Sequence, residues 1–164
     1  MKTELRIPAI VSLLSTSRAK LGKIQLQKLV YFAQNNGLPL KYTFQIYHYG
    51  PYSFELSNDL GSLDALEIVN IQNDPNGYGF QVSTGKFADK FVLPVKYQKK
   101  LDRVIDQFGS ESTAKLEVKA TIHFVSSVVT SKKQIIEKVH ALKPRYTKDF
   151  IRQSYSELKH LNWV

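Results

Sequence analysis

The sequence predicts an α+β fold in which a winged-helix-like N-terminal module, residues 1–86, packs against a mainly helical extension, residues 87–164. Three observations support this prediction. Before residue 86 the apolar pattern follows the order helix, helix, strand, helix and β-hairpin. Residues that tight turns select occupy Asp74-Pro75-Asn76-Gly77, between two strand-like runs. Beyond Pro94 the apolar residues recur at helical spacing. The 164 residues suffice for one well-formed core, so residues 1–164 are predicted to form a single domain.

Two helices are predicted at the start of the N-terminal module. The apolar face of the first helix consists of Ile7, Ile10, Val11, Leu13 and Leu14. The second helix runs from about Lys23 to Asn36, because Gly37 suits the residue after a helix end and Pro39 prevents the helix from resuming. Each helix is expected to bury one apolar face in the core of the module.

An aromatic strand, Tyr42–Tyr49, is predicted to turn directly into a third helix. Gly50 allows a sharp reversal, and Pro51 fits the first helical position, where its missing N–H would have no partner in any case. The third helix is then expected to reach Gly61. We call this corner the elbow; its aromatic residues are Tyr47, Tyr49, Tyr52 and Phe54. The elbow is predicted to be a rigid structural element.

The remaining elements are a β-hairpin and a series of helices. The two hairpin strands are predicted within Ile68–Ile71 and Tyr78–Val82. Helical stripes follow, formed by Leu101, Val104, Ile105 and Phe108, by Leu116, Ala120, Phe124 and Val128, by Ile135, Ile136, Val139 and Leu142, and by Ile151, Tyr155 and Leu158. Ser131 and Thr147 are residue types that cap helix N-termini, so the last two helices are expected to begin just after them.

Composition excludes several classes of site. The chain has no cysteine, so it forms neither a disulfide nor a zinc–thiolate site, and a cytoplasmic location is expected. No apolar run approaches the length of a membrane span. The histidines His48, His123, His140 and His160 never fall at the i, i+4 spacing of a helical metal site. We therefore expect no metal and no other cofactor.

Three stretches of the sequence resemble a known family. They are Leu26-Gln27-Lys28-Leu29-Val30-Tyr31-Phe32, the elbow stretch His48-Tyr49-Gly50-Pro51-Tyr52-Ser53-Phe54-Glu55-Leu56 with Asp59-Leu60, and Ala114-Lys115-Leu116-Glu117-Val118-Lys119-Ala120-Thr121. Together they are similar to the YwgA-like proteins, distant relatives of the Panacea (SocA-like) antitoxin domain, which also has a Lys-Leu-x-Tyr helix followed by Tyr-Gly-Pro. The resemblance implies a small cytoplasmic protein of prokaryotic or viral origin. For the Panacea side it implies neutralisation of a toxin by direct binding or by delivery to a protease.

The resemblance also implies which residues would bind a protein partner such as a toxin. These motif residues are Lys28, Tyr31, His48, Tyr49, Gly50, Pro51, Tyr52, Ser53, Glu55 and Asp59. No nucleophile motif accompanies them, so no catalytic residue and no enzymatic activity is predicted. Lys28 and Tyr31 lie amid Leu and Val, where they either form a polar site under the elbow or pack in the core. His48 is expected to be buried and to donate to a backbone carbonyl.

The two elbow carboxylates have alternative interpretations. Glu55 and Asp59 are four residues apart and share a helix face, so they either bind a cation, act as acid and base, or lie on a solvated face that tolerates their weak repulsion. A further hypothesis pairs Glu55 with Lys28 in a buried or half-buried ion pair that joins the two motif helices.

The net charge of +9 is unevenly distributed. Neither Lys nor Arg occurs between Lys41 and Lys86, so a third helix and wing in this segment would repel the phosphates that a DNA-binding winged helix contacts. A nucleic acid would instead have to contact the C-terminal cations Lys132, Lys133, Lys143, Arg145, Lys148 and Arg152. The expected function is a non-enzymatic protein-interaction module, antitoxin-like or regulatory, in toxin–antitoxin or phage–host conflict. The alternative is nucleic-acid binding through those C-terminal cations.

Overall fold

A computed structural model describes residues 4–17, 20–77 and 79–164 of the chain. In chain order its elements are α1 (Arg6–Thr16), β1 (Leu21–Gly22), α2 (Lys23–Asn35), β2 (Gln45–Tyr47), β3 (Gly50–Tyr52), α3 (Phe54–Ala65), β4 (Val69–Asn73), β5 (Phe80–Thr84), a 3₁₀ turn (Ala88–Lys90), α4 (Val95–Phe108), α5 (Thr113–Ser126), α6 (Lys132–Leu142) and α7 (Lys148–His160). Helices and antiparallel strands of this kind make the protein an α+β protein, as the sequence predicts.

The strands β1, β5 and β4 form one antiparallel sheet in that spatial order. Val82 of β5 lies opposite Leu21 on one side and Ile71 on the other, and it is fully buried. A short first strand that returns to a C-terminal hairpin, after two further helices, is the arrangement of a winged helix. The element order is therefore compatible with the winged-helix-like prediction, although β1 itself has no signal in the sequence and Tyr78 lies outside the described residues.

Four helices begin where a Ser or Thr hydroxyl caps the first turn. The side-chain oxygens of Ser53, Ser112, Ser131 and Thr147 each accept a hydrogen bond from the backbone N–H three residues further on. This satisfies a donor that the helix leaves without an intrahelical partner. The predicted caps at Ser131 and Thr147 are confirmed.

The elbow is a β-hairpin and not a strand that turns directly into a helix. Strands β2 and β3 pair antiparallel, with Tyr47 opposite Gly50 and Ile46 opposite Pro51. Gly50 has a φ of 86°, the left-handed conformation that glycine adopts readily, directly after the two turn residues. The prediction that Pro51 begins the third helix is wrong. Pro51 lies in β3, and α3 begins only at Phe54, because Ser53 supplies the cap.

Helix α5 lies at the centre of the fold and packs against α2, α6, α7 and strand β3. Its apolar residues Leu116, Val118, Ala120 and Ile122 are all buried, and they point to different sides of the helix. The predicted apolar stripe is therefore too narrow, and Val128, its last member, is 74% exposed beyond the helix end. A helix enclosed in this way also buries polar residues, of which Glu117 and Thr121 lie against the elbow hairpin.

Candidate partner-binding surface

Helix α2 holds the elbow hairpin through two buried polar side chains. The amide of Gln27 donates to the carbonyl oxygen of Ser53 and accepts from its N–H, both at 2.9 Å. The Nζ of Lys28 donates to the carbonyl oxygen of Pro51 at 2.7 Å. Both side chains are 0% exposed. Because buried polar groups are costly without partners, these bonds fix the position of the hairpin on α2.

Helix α5 contacts the hairpin on its other side, at Gly50. A Cβ atom at this position would lie 2.7 Å from Thr121 Oγ1 and 3.2 Å from the carbonyl oxygen of Glu117. The Thr121 hydroxyl is itself held in place, because it donates to that same carbonyl at 2.7 Å. The close approach and the positive φ together require glycine.

Glu117 organises a buried ionic network beneath the hairpin turn. Its Oε1 forms an ion pair with Lys143 Nζ at 3.1 Å, in an orientation that makes no hydrogen bond. Its Oε2 accepts from the Tyr146 hydroxyl at 2.7 Å and from the Arg145 guanidinium. Lys143 Nζ in turn donates to the carbonyl oxygen of His48 at 2.6 Å. The carboxylate thus positions a lysine that binds the backbone of the turn.

Burial changes the proton affinity of this network. Desolvation lowers the pKa of Lys28 to about 8; the negative charge of Glu117 opposes this effect and the positive charge of Lys143 adds to it. Burial and the hydrogen bond to Glu117 raise the pKa of the Tyr146 hydroxyl. At neutral pH Lys28 is therefore still largely protonated while it donates to the backbone of the hairpin.

The outward face of the hairpin and the adjoining start of α3 carry aromatic side chains. Tyr47, Tyr49 and Phe54 are 43%, 45% and 47% exposed. The rings of Tyr47, Tyr52 and Phe54 contact one another, with centroids 5.0 to 5.5 Å apart. The Arg145 guanidinium lies 5.4 Å from the centre of the Tyr49 ring. We call these four side chains, Tyr47, Tyr49, Tyr52 and Phe54, the aromatic surface.

A groove of about 710 Å³ runs beside the aromatic surface. The hairpin, the N-termini of α2 and α5, and the tip of the β4–β5 wing form its walls. The side chains that give it its chemical character are Lys23, Lys28, Tyr47, Tyr52 and Phe80. Neither Asp nor Glu is among the described residues that line it.

The elbow carboxylates bind helix α1 instead of facing Lys28. The Arg6 guanidinium lies 3.2 Å from Glu55 and 3.4 Å from Asp59, and the Tyr42 hydroxyl donates to Asp59 at 2.7 Å. The hypothesis of a Glu55–Lys28 pair is therefore wrong, because Lys28 points to a backbone carbonyl of β3 and Glu55 lies exposed in the first turn of α3. The two carboxylates neutralise Arg6.

Tyr31 and His48 differ in burial although both belong to the resembling stretches. Tyr31 is buried, and its hydroxyl lies 2.7 Å from Nδ1 of His123. Burial raises the pKa of Tyr31 and lowers the pKa of His123, so both groups are neutral at physiological pH. His48 is exposed, with its ring 4.2 Å from that of Tyr47, so the expected buried hydrogen bond of its side chain is wrong.

The C-terminal cations predicted for nucleic acid do not form one free surface. Lys143 is 5% exposed and belongs to the network beneath the hairpin. Three others pair with carboxylates: Arg145 with Glu117, Lys148 with Glu137 and Arg152 with Asp149. Lys132 and Lys133 are exposed and have no carboxylate within ion-pair distance in the described part of the chain. Most of the predicted cations are thus already neutralised internally.

The three stretches that carry the family resemblance meet at the hairpin. Lys28 comes from the first, Pro51 from the second, and Glu117 and Thr121 from the third. The roles of Gln27, Glu117 and Thr121 were missed from the sequence. The available signal was the third stretch itself, in which polar residues alternate with apolar ones on a helix that is buried all round.

Two absences hold for residues 4–17, 20–77 and 79–164. None of the helices there combines the length and the apolar character needed to cross a membrane. No cluster of three or more His, Asp or Glu side chains in the same residues is placed to hold a metal ion.

Comparison with known proteins gives two similar sequences. The chain is 27% identical over 154 residues to the uncharacterised protein YwgA of Bacillus subtilis. This match covers 90% of this chain and 89% of the Bacillus protein. It is 31% identical over 109 residues to a DNA ADP-ribosyl glycohydrolase of Thermus aquaticus. That match covers 63% of this chain but only 30% of the Thermus protein. No protein-family model matches the chain.

Proposed function

We propose that this chain is a non-enzymatic protein-interaction module, antitoxin-like or regulatory in toxin–antitoxin or phage–host conflict, that binds its partner through the aromatic surface. The observation that carries the proposal is the exposure of Tyr47 and Tyr49 on a hairpin that buried polar side chains hold in place, and of Phe54 at the adjoining start of α3. Tyrosine and phenylalanine supply large contact areas at interfaces. A backbone that is already ordered loses little entropy when the partner binds.

The sequence comparisons support a module of this kind. A segment similar to 109 residues of this chain makes up 30% of the Thermus glycohydrolase, so a related segment occurs inside a longer protein. The Bacillus protein, in contrast, is similar over nearly its whole length. A unit that occurs both over nearly a whole protein and within a longer chain can serve in different contexts.

The test uses the protein encoded next to this chain's gene as the partner, titrated calorimetrically with the full chain. Tyr49→Ala and Phe54→Ala should each weaken binding at least about tenfold, which is the effect of losing about 1.4 kcal/mol at an interface hot spot. Val128→Ala is the matched control, because Val128 is 74% exposed and lies at the end of α5, outside the aromatic surface. Unchanged melting temperatures would show that the variants still fold.

Salt dependence separates this proposal from nucleic-acid binding. Contacts made by aromatic and apolar groups depend weakly on salt, whereas displacement of counterions makes nucleic-acid affinity fall steeply. Partner affinity should therefore change little between about 50 and 200 mM salt. Binding that survives both aromatic substitutions, or that disappears in this salt range, would contradict the proposal.

A further inference from the structure

The groove beside the aromatic surface concentrates positive charge at one end. Lys23 and the buried Lys28 line it, and the described lining residues include no carboxylate. The N-terminus of α2 opens onto the same end, and its N-cap residue, Gly22, has no side chain with which to accept from the first-turn N–H groups. Gln25 instead accepts from the N–H of Gly22 at 2.9 Å. Helix N-termini favour anions, so this end suits a negatively charged group.

The rest of the groove is aromatic. Tyr47 and Tyr52 line it from the hairpin, with ring centroids 5.5 Å apart, and Phe80 lines it from the wing. The Phe80 side chain is 50% exposed. The ammonium group of Lys23 lies 5.7 Å from the centre of the Phe80 ring. Flat rings on two sides of a groove offer faces against which another flat ring can stack.

We propose that this groove binds a nucleotide, with its base against Tyr52 and Phe80 and its phosphate at the N-terminus of α2 beside Lys23. A volume of about 710 Å³ lies within the range of small-ligand sites. Stacking serves any base, so the site selects for a phosphate joined to a flat ring and not for one base. Neither component alone uses both ends of the groove.

The absence of cations between Lys41 and Lys86 does not conflict with this site. The cations come from α2, which precedes that segment, while the segment supplies only aromatic rings. The carboxylates Glu55 and Asp59 are engaged with Arg6, and Glu117 is neutralised by Lys143 and Arg145. The phosphate would therefore meet little uncompensated negative charge.

The experiment titrates the full chain calorimetrically with AMP, GMP, CMP and UMP, and with adenosine and inorganic phosphate as the separate components. At least one nucleotide should bind about tenfold or more tightly than either component, because stacking and phosphate contacts each contribute. Lys23→Ala and Phe80→Ala should each weaken nucleotide binding about tenfold. Lys20→Ala and Val92→Ala are the matched controls, since both residues are exposed and neither lines the groove.

A 5′-phosphorylated tetranucleotide distinguishes the source of the nucleotide. Affinity equal to that of the mononucleotide indicates a free nucleotide, and tighter binding that remains sensitive to Lys23→Ala indicates the end of a strand; both outcomes support the proposal. Three results would overturn it. The first is that no nucleotide binds at millimolar concentration. The second is that Lys23→Ala and Phe80→Ala leave the nucleotide affinity unchanged. The third is that inorganic phosphate, or the polyanion hexaglutamate, binds as tightly as the best nucleotide.

Tyr47, Tyr49 and Tyr52 belong to both surfaces, so residues that only one surface contains distinguish this test from the protein-partner test. Lys23 and Phe80 lie outside the aromatic surface, and Phe54 is not among the groove residues, so Phe54→Ala should leave nucleotide affinity unchanged. Failure of nucleotide binding therefore leaves the partner-binding proposal standing, and the reverse also holds.

Discussion

Glu117 and Lys143 form a buried ion pair, with 3.1 Å between Oε1 and Nζ and exposures of only 1% and 5%. Lys143 also donates to the backbone of the hairpin turn, so the pair connects the central helix α5 to the elbow. Two buried charges attract each other strongly but are costly to remove from water. The pair therefore matters less for total stability than for the position of the hairpin, and loss of one partner leaves the other charge uncompensated.

Glu117→Gln should lower the free energy of unfolding by about 3–5 kcal/mol, the range for breaking a buried pair from one side. Glutamine keeps the shape of the side chain and can still accept from Tyr146, so the variant removes mainly the charge. Guanidinium denaturation measures the change. Glu137→Gln is the control, because Glu137 pairs with Lys148 at the surface, and its denaturation midpoint should match that of the parent protein. Equal midpoints for both variants would contradict the role assigned to Glu117.

Gly50→Ala should destabilise the protein by at least about 1–3 kcal/mol, because alanine is strained at a φ of 86° and its Cβ would lie 2.7 Å from Thr121 Oγ1. Two other glycines separate these causes. Gly77→Ala introduces only the backbone strain, since Gly77 has a φ of 78° and no atom lies within 4 Å of its Cβ position. This substitution should lower the free energy of unfolding by about 1–2 kcal/mol.

Gly61→Ala provides a control of opposite sign. Gly61 lies inside α3 with open space around its Cβ position, so alanine there should stabilise the protein by about 0.5–1 kcal/mol. Thermal and denaturant unfolding of the three variants should rank them Gly61→Ala, Gly77→Ala, Gly50→Ala in falling stability. A Gly50 variant as stable as the Gly77 variant would show that contact with α5 does not constrain the hairpin.

Lys28 should make stability depend on pH in the alkaline range. Its pKa is about 8 in the folded protein, where it faces Glu117 and Lys143, and close to 10.5 in the unfolded chain. Between these values the unfolded chain holds a proton that the folded protein has released, so stability rises with pH. The full rise is about 3 kcal/mol, because one pKa unit corresponds to about 1.4 kcal/mol.

Lys28→Met isolates this contribution, since methionine occupies similar space without the charge. The difference in unfolding free energy between the parent protein and the variant should shift in favour of the parent as the pH rises from 8 to 9.5. Above about pH 10 ionisation of tyrosines in the unfolded chain lowers the stability of both proteins, because burial raises the folded pKa of Tyr31 and Tyr42, and this effect cancels in the difference. Parallel stability curves for the two proteins would refute the assignment.

Much of the fold could be predicted because its signals are local. The hydrophobic period and end signals locate α2 to within a residue, and hydroxyl caps locate the starts of α6 and α7. The elbow was misplaced because Gly-Pro suits both a helix start and the end of a hairpin turn. The sequence pattern around Pro51 does not reveal that Gln27 pairs with Ser53 across 26 residues and leaves Ser53 to begin the helix.

The candidate site was predicted only in part, because its organisation depends on contacts between distant segments. The sequence leaves Lys28 as either a polar residue beneath the elbow or a core residue, because its partner is a carbonyl oxygen, which every residue possesses and no pattern distinguishes. The sequence predicts Lys143 on a basic surface, since a lysine in a basic sequence is usually exposed. Only the fold shows that this lysine faces inward to Glu117.

Any affinity of the C-terminal helices for duplex DNA should be weak and only mildly dependent on salt. Of the six predicted cations, Lys132 and Lys133 are the two that are exposed and unpaired in the described part of the chain. Two phosphate contacts give a slope of log affinity against log salt of about −2, whereas six would give about −5. Fluorescence anisotropy with a labelled duplex measures the slope, and the double substitution of Lys132 and Lys133 by Ala should reduce it to near zero. A slope near −5 in the parent protein would mean that the ion pairs of Arg145, Lys148 and Arg152 open to bind phosphate, which would favour the nucleic-acid alternative.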